Sequence, residues 1–171
     1  GVVGVIAPWN YPLNLGLIPL LSALADGNHV MLKPSAFTPR TSQAMAELLA
    51  NLFPAERVTT VLGGADVAAA FAALPFDHLL FTGSTAVGKR VMAAAAPNLT
   101  PVTLELGGKS PAIIAPDYPL ATAAARLGMG KLLNAGQTCI APDYVLISPE
   151  RRDAFVAALR AYVTQAYPAL R

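Results

Sequence analysis

The chain has 171 residues, a net charge of +2, 54% hydrophobic residues and 13% charged ones. That length suits one domain or slightly more, and a near-neutral balance with no basic run points away from nucleic acid and anionic membranes. One cysteine excludes an internal disulfide, and with two histidines it makes a structural zinc site a poor reading, so no metal is expected and a reducing, cytoplasmic setting is.

The charged share is about half the usual ~25%, so a membrane protein is the first class to test. In chain order, "VVGVIAP" (2–8) reads as a strand, followed by "APWNYP", in which Trp9 and Asn10 stand between two prolines. The apolar stretch at 13–25, "LNLGLIPLLSALA", is interrupted by Asn14, Pro19 and Ser22. It falls short of the ~20 residues a spanning helix needs, and it is not one of the clear helical patterns. "HVMLKP" (29–34) is a second strand ending near Lys33, followed by a helix over 39–51. Strands at 58–62, 78–83 and 102–106 then alternate with helices at 66–74 and 84–95. "LGGKSP" (106–111) reads as a crossing between two lobes. Beyond it come strands at 112–116 and 144–148 and helices at 120–133 and 150–165.

Most of these strands are continuously apolar, which predicts burial on both faces, as in a parallel sheet. The βαβα order predicts an α/β, doubly wound, Rossmann-like fold, and the crossing at 106–111 separates residues 1–107 as one domain from 108–171 as the start of a second lobe. The surplus of apolar residues and the start at Gly1 rather than Met lead to the expectation that this is a piece of a longer protein. Further segments and partner subunits would cover its apolar faces.

"GSTAVGKR" (83–90) matches the first seven positions of a phosphate-binding P-loop, but Arg90 stands where a magnesium-binding Ser or Thr belongs. No Gly-x-Gly-x-x-Gly fingerprint is present. A strand leading into Gly83-Ser84 at a helix start still offers amides to a phosphate, although a plain helix cap explains Ser84 equally well.

The lone cysteine lies in "NAGQTCIAPD" (134–143). Unpaired cysteines are most often buried as small hydrophobes, and the neighbourhood must decide whether Cys139 is one of them. Glu105 closes a strand ahead of two glycines that permit close approach, and Lys33 closes another. Polar residues at strand ends of an open α/β sheet are where ligands bind.

Taken together, "PWNYP", "KPS", "FTGSTAVGK", "ELGGKSP" and "GQTC" resemble the aldehyde dehydrogenase superfamily, in order and over essentially the whole chain. "GQTCIAPDYVLI" and "LGGADVAAA" resemble the branch of coniferyl aldehyde dehydrogenases and class-three enzymes. The resemblance implies oxidation of an aldehyde, aromatic in that branch, to its acid with NAD or NADP. Cys139 matches the nucleophile, which forms a thiohemiacetal and then a thioester. The Asn10 amide and the Cys139 N–H match the oxyanion donors, and Glu105 the base for thioester hydrolysis. Lys33 matches the contact to the adenosine ribose, Gly83 and Ser84 match the phosphate contacts, Trp9 and Leu106 lie where the family's chain runs beside the nicotinamide half, and Pro8, Ser35, Val87 and Gly88 are further cofactor-binding candidates. Where the family often has a ribose-binding glutamate, Ala36 stands here, which removes a barrier to NADP. The family also implies a homodimer or homotetramer. Two other readings are a relative that transfers its thioester to another acceptor, which Glu105 argues against, and a non-catalytic protein of the same fold.

Overall fold

The computed structural model describes residues 1–169, which form two compact units, Gly1–Gly107 and a second beginning at Gly108. The first unit is a five-stranded parallel sheet in the order β3-β2-β1-β4-β5. Its strands are β1 (Val2–Ile6), β2 (His29–Lys33), β3 (Val58–Thr60), β4 (His78–Gly83) and β5 (Val102–Leu106), and its helices are α1 (Pro12–Ala25), α2 (Pro39–Leu52), α3 (Ala65–Ala72) and α4 (Thr85–Ala95). Side chains alternate across a strand, and the core divides accordingly. Val5, Val30 and Leu32 join Leu20, Ala23, Met45 and Leu49 from α1 and α2. Ile6, Leu79 and Phe81 join Phe71, Ala72 and Val91 from α3 and α4. Each face of the sheet thus carries one helix pair, which is the doubly wound arrangement the βαβα order predicts.

After β3 the chain crosses to the far side of β1 to enter β4, so the order reverses between β1 and β4. The registers Ile6↔Lys33, Ile6↔Phe81 and Gly83↔Leu106 keep the C-terminal strand ends close to level. A crevice at the carboxyl end of such a reversal is the usual ligand position in this architecture.

Two expectations about the strands and one about the helices need correction. Burial on both faces describes β1 and β2, but β5 alternates half-buried and exposed residues because it lies at the edge of the sheet. The apolar stretch at 13–25 is a helix, α1, that begins with Pro12 at its first position, where the missing N–H costs nothing, and tolerates Pro19 inside. Gly16, Leu20 and Ala23 form its buried stripe. No helix among the described residues is long and apolar enough to cross a membrane.

The second unit pairs β6 (Ser110–Ile113) with β7 (Pro142–Leu146) in parallel, with α5 (Leu120–Leu132) and α6 (Arg152–Ala166). Ile114, Ala123, Ala124 and Phe155 form its small buried core. Both strands begin two residues earlier than the apolar runs predict, because proline marks those positions without excluding them. Pro142 is the first residue of β7, and Pro111 sits at a shift in register, two places where a strand admits proline.

Candidate active site

All the sequence-predicted site residues except Cys139 belong to the first unit, at or just beyond the C-terminal ends of its strands apart from Val87 and Gly88, which lie in the first turn of α4. The Ala7 N–H donates to the Lys33 carbonyl at 3.0 Å, carrying the β1–β2 pairing one residue past the strand. Pro8 is buried, Trp9 is 46% exposed, and Asn10 is half-buried in the bend that turns into α1. The prolines on either side limit the backbone freedom of that bend.

Lys33 closes β2 with only 3% of its surface exposed, and its Nζ donates to the Pro34 carbonyl at 2.8 Å. Burial pushes its pKa below the ordinary 10.5, while the Asp66 carboxylate in the first turn of α3 pulls it back up. The loop after it is clamped around buried Ser35. Ser35 Oγ accepts from the Phe37 N–H at 3.2 Å, and the Ser35 carbonyl accepts from Ser42 Oγ at 2.8 Å. Thr38 Oγ1 in this loop and Thr60 Oγ1 at the end of β3 are buried without a partner among the described residues. An ammonium with donors to spare and two idle hydroxyls suit a polyhydroxylated ligand such as a ribose. Ala36 is exposed. Asp66, Ser42, Thr38 and Thr60 carry no motif of their own in the sequence; each matters through contacts or burial that no local pattern encodes.

Between β4 and α4 only Ser84 intervenes. Its Oγ accepts from the Val87 N–H at 3.4 Å, capping the helix, and helix geometry leaves the other first-turn amides without intrahelical partners. This overturns the P-loop match, because Gly88 and Lys89 lie inside α4 rather than in a loop that could wrap a phosphate. Gly88 is buried, and a Cβ there would stand 2.9 Å from Leu106 Cδ2, so its smallness lets α4 press onto β5. Val87 is exposed and Gly83 half-buried. Glu105 is exposed on β5 opposite Thr82, and half-buried Leu106 is paired with Gly83.

Cys139 belongs to the second unit and is exposed, unlike the small buried hydrophobe that a lone cysteine usually is. Past α5 the chain makes a left-handed turn through Asn134 (φ 50°), Ala135 (φ 57°) and Gly136 (φ 78°). A second turn, closed by the Ala141 N–H donating to the Thr138 carbonyl at 3.0 Å, holds Cys139 ahead of β7. Gly108 lies against this turn, since a Cβ on it would be 3.1 Å from the Cys139 carbonyl oxygen. Lys109 and Asp143 form an exposed ion pair of 3.1 Å nearby. No group of three or more potential metal ligands occurs among the described residues.

The family model described as the aldehyde dehydrogenase family matches residues 1–168. A probable coniferyl aldehyde dehydrogenase of Pseudomonas aeruginosa is 59% identical over 170 residues, which are 99% of this chain and 36% of that protein. Among solved structures, substrate-bound AldH of Staphylococcus aureus superposes with a TM-score of 0.95 at 42% identity, covering 98% of this chain and 36% of that one. An aldehyde dehydrogenase of Mycobacterium tuberculosis in complex with NAD+ gives a TM-score of 0.88 at 43% identity, covering 96% of this chain and 34% of that one. The chain therefore spans roughly a third of the length of the relatives it matches. With a family match over nearly every residue, and polar strand ends and an exposed thiol in place, the chain belongs to the aldehyde dehydrogenase family.

Proposed function

We propose that the protein carrying this chain oxidises an aldehyde to its carboxylic acid with NAD or NADP, the first unit holding the cofactor and the second supplying the nucleophile. The observation that carries this reading is the gathering of Asn10, Lys33, Ser84 and Glu105 along the carboxyl edge of a sheet whose order reverses there. The cofactor fits the donors present. Lys33, with Thr38 and Thr60, suits the adenosine ribose, and the first turn of α4 suits the pyrophosphate. When bound, the nicotinamide accepts the hydride.

The chain's own residues do the rest. The Cys139 thiolate attacks the aldehyde carbon, forming a C–S bond and an oxyanion. The Asn10 amide and the Cys139 N–H donate to that oxygen, and losing one such donor costs about 2.7–4 kcal/mol of barrier. Loss of hydride leaves a thioester. Glu105 takes a proton from water, the resulting hydroxide attacks the acyl carbon, and the acid departs as the thiolate is restored. An aromatic, coniferyl-type aldehyde is the proposed substrate class, supported by the name of the Pseudomonas aeruginosa relative. A cytoplasmic, reducing setting keeps the exposed thiol free, and a homodimer or homotetramer is the proposed assembly.

In the whole protein, Cys139→Ala should abolish oxidation of aromatic and aliphatic aldehydes alike while NADH binding, read by fluorescence, is kept. Turnover by that variant would sink the reading. Glu105→Gln should leave a burst of reduced cofactor about equal to the enzyme present, followed by slow deacylation. A steady state restored by an added thiol acceptor, but not by water in the unaltered enzyme, would favour the thioester-transferring alternative.

A further inference from the structure

We infer that Gly108 is a positioning residue for Cys139, acting through the cysteine's backbone; this rests on the nucleophilic role proposed above. The cysteine loop is held from three directions. Upstream, Asn134, Ala135 and Gly136 are left-handed in succession, and two of them are not glycine. An alanine in that conformation is disfavoured and persists only where its surroundings over-determine it. Downstream, the Thr138–Ala141 turn closes at 3.0 Å and leads into β7 through Pro142. On the third side the chain entering β6 passes close to the loop, and Gly108 is where it passes.

The distances show why a glycine belongs there. A methyl group on Gly108 would lie 3.1 Å from the Cys139 carbonyl oxygen and 3.7 Å from Ser110 Oγ. The first value is tighter than ordinary van der Waals contact, and the atom it meets is backbone, which no side-chain rotation can move aside. Relief requires the Gly108 backbone or the Cys139 carbonyl to give by a few tenths of an ångström, and we take the carbonyl to be the part that yields. That displacement passes through the Cys139 Cα to the thiol and to the N–H proposed to hold the oxyanion, and it takes up much of the ~0.5 Å within which a catalytic constellation must be held. Gly108 therefore sets where the nucleophile stands without touching substrate. Gly130 provides a matched comparison in the same unit. A methyl there would meet Pro142 at an ordinary 3.6 Å.

The test compares Gly108→Ala with Gly130→Ala in the whole enzyme. Since a misplacement of ~1 Å costs about a hundredfold, a shift of about 0.3 Å should slow the burst of reduced cofactor by about fourfold in Gly108→Ala. NADH affinity, melting temperature and alkylation of Cys139 by iodoacetamide, which needs no oxyanion geometry, should all stay within about twofold or a few degrees of wild type. Gly130→Ala should match the wild-type burst. A Gly108→Ala burst within twofold of wild type would overturn the inference. So would a variant that aggregates, melts early or loses NADH binding, since Gly108 would then be a folding residue; a slowed Gly130→Ala burst would also overturn it, by showing that the loop answers to any added methyl. Cys139→Ala, run alongside, separates the two levels: if it turned over aldehyde, the nucleophile assignment would fail regardless of the Gly108 result.

Discussion

The two units bury their apolar residues in different ways. In the first, helices cover both faces of a five-stranded sheet, and each face has its own cluster of fully buried side chains. In the second, two strands and two helices enclose a core of four buried residues, and Ile113 and Leu146 on the strands are 77% and 50% exposed. The contrast teaches where rigidity comes from. A strand between two others, covered above and below, has every direction filled, whereas the two-stranded sheet leaves strand edges and much of its apolar surface open. Residues proposed to bind cofactor sit on the first kind of support. The proposed nucleophile sits on the second, where a left-handed turn and a close glycine, rather than bulk packing, constrain the loop.

Core truncation should test this contrast with the largest effects. Phe155→Ala is expected to cost about 3–5 kcal/mol, as buried aromatic truncations do. The loss should fall on the second unit: hydrogen exchange of β6 and β7 amides should accelerate while β1 and β2 keep their protection. Leu79→Ala, at a side chain with no exposure, should cost about 2–5 kcal/mol and release the amides of β1, β4 and β5 together. Equal release of both units by either variant would erase the distinction.

A smaller effect is expected where helices touch. A Cβ on Gly128 would stand 2.5 Å from the Tyr162 ring, so Gly128→Ala must push α5 from α6 or tilt the ring, at about 1–3 kcal/mol in denaturant melts. Gly16→Ala in the first unit has one tight contact, with the flexible end of Met45 at 3.2 Å, and ordinary ones with Ala7 at 3.5 Å and Leu32 at 3.7 Å, so it should cost less. The reverse ranking would mean that the second unit is the looser of the two even at its tightest contact.

Smaller still is the effect at the ribose loop. Ala36→Glu adds an acceptor for ribose hydroxyls and like-charge repulsion against a 2′-phosphate, so the NAD/NADP ratio of kcat/KM should rise about tenfold, or ~1.4 kcal/mol. An unchanged ratio would place the ribose elsewhere.

The smallest expected change is a pH slope. Because the Lys33 pKa is lowered in the folded chain, the fold binds fewer protons there than the unfolded chain does. Its destabilising contribution is fully present below the folded pKa and is relieved as pH rises toward 10.5. Urea melts from neutrality to near pH 10 should show wild type gaining stability relative to Lys33→Met. Parallel profiles would mean that the ammonium is solvated.

What the sequence determined by itself was whatever local pattern can encode. Apolar runs and alanine-rich helices alternate along the chain, and their order alone implies a parallel, doubly wound sheet. The short motifs around Asn10, Glu105 and Cys139 are legible because each is contiguous. Pattern failed where a residue's meaning depended on a distant one. Pro12 and Pro19 disguised α1, whose stripe of Gly16, Leu20 and Ala23 makes sense only against the sheet. The edge position of β5 follows from the strand order and not from its composition. The Gly-x4-Gly-Lys match dissolved because Gly88 is spent on packing α4 against Leu106. Asp66 bears on Lys33, and Gly108 on the Cys139 carbonyl, across more than thirty residues of chain in each case. Periodicity is a property of neighbours, set by helix and strand geometry; which buried charge is offset, and which glycine must stay bare, is settled only when the folded chain brings remote atoms within a few ångströms.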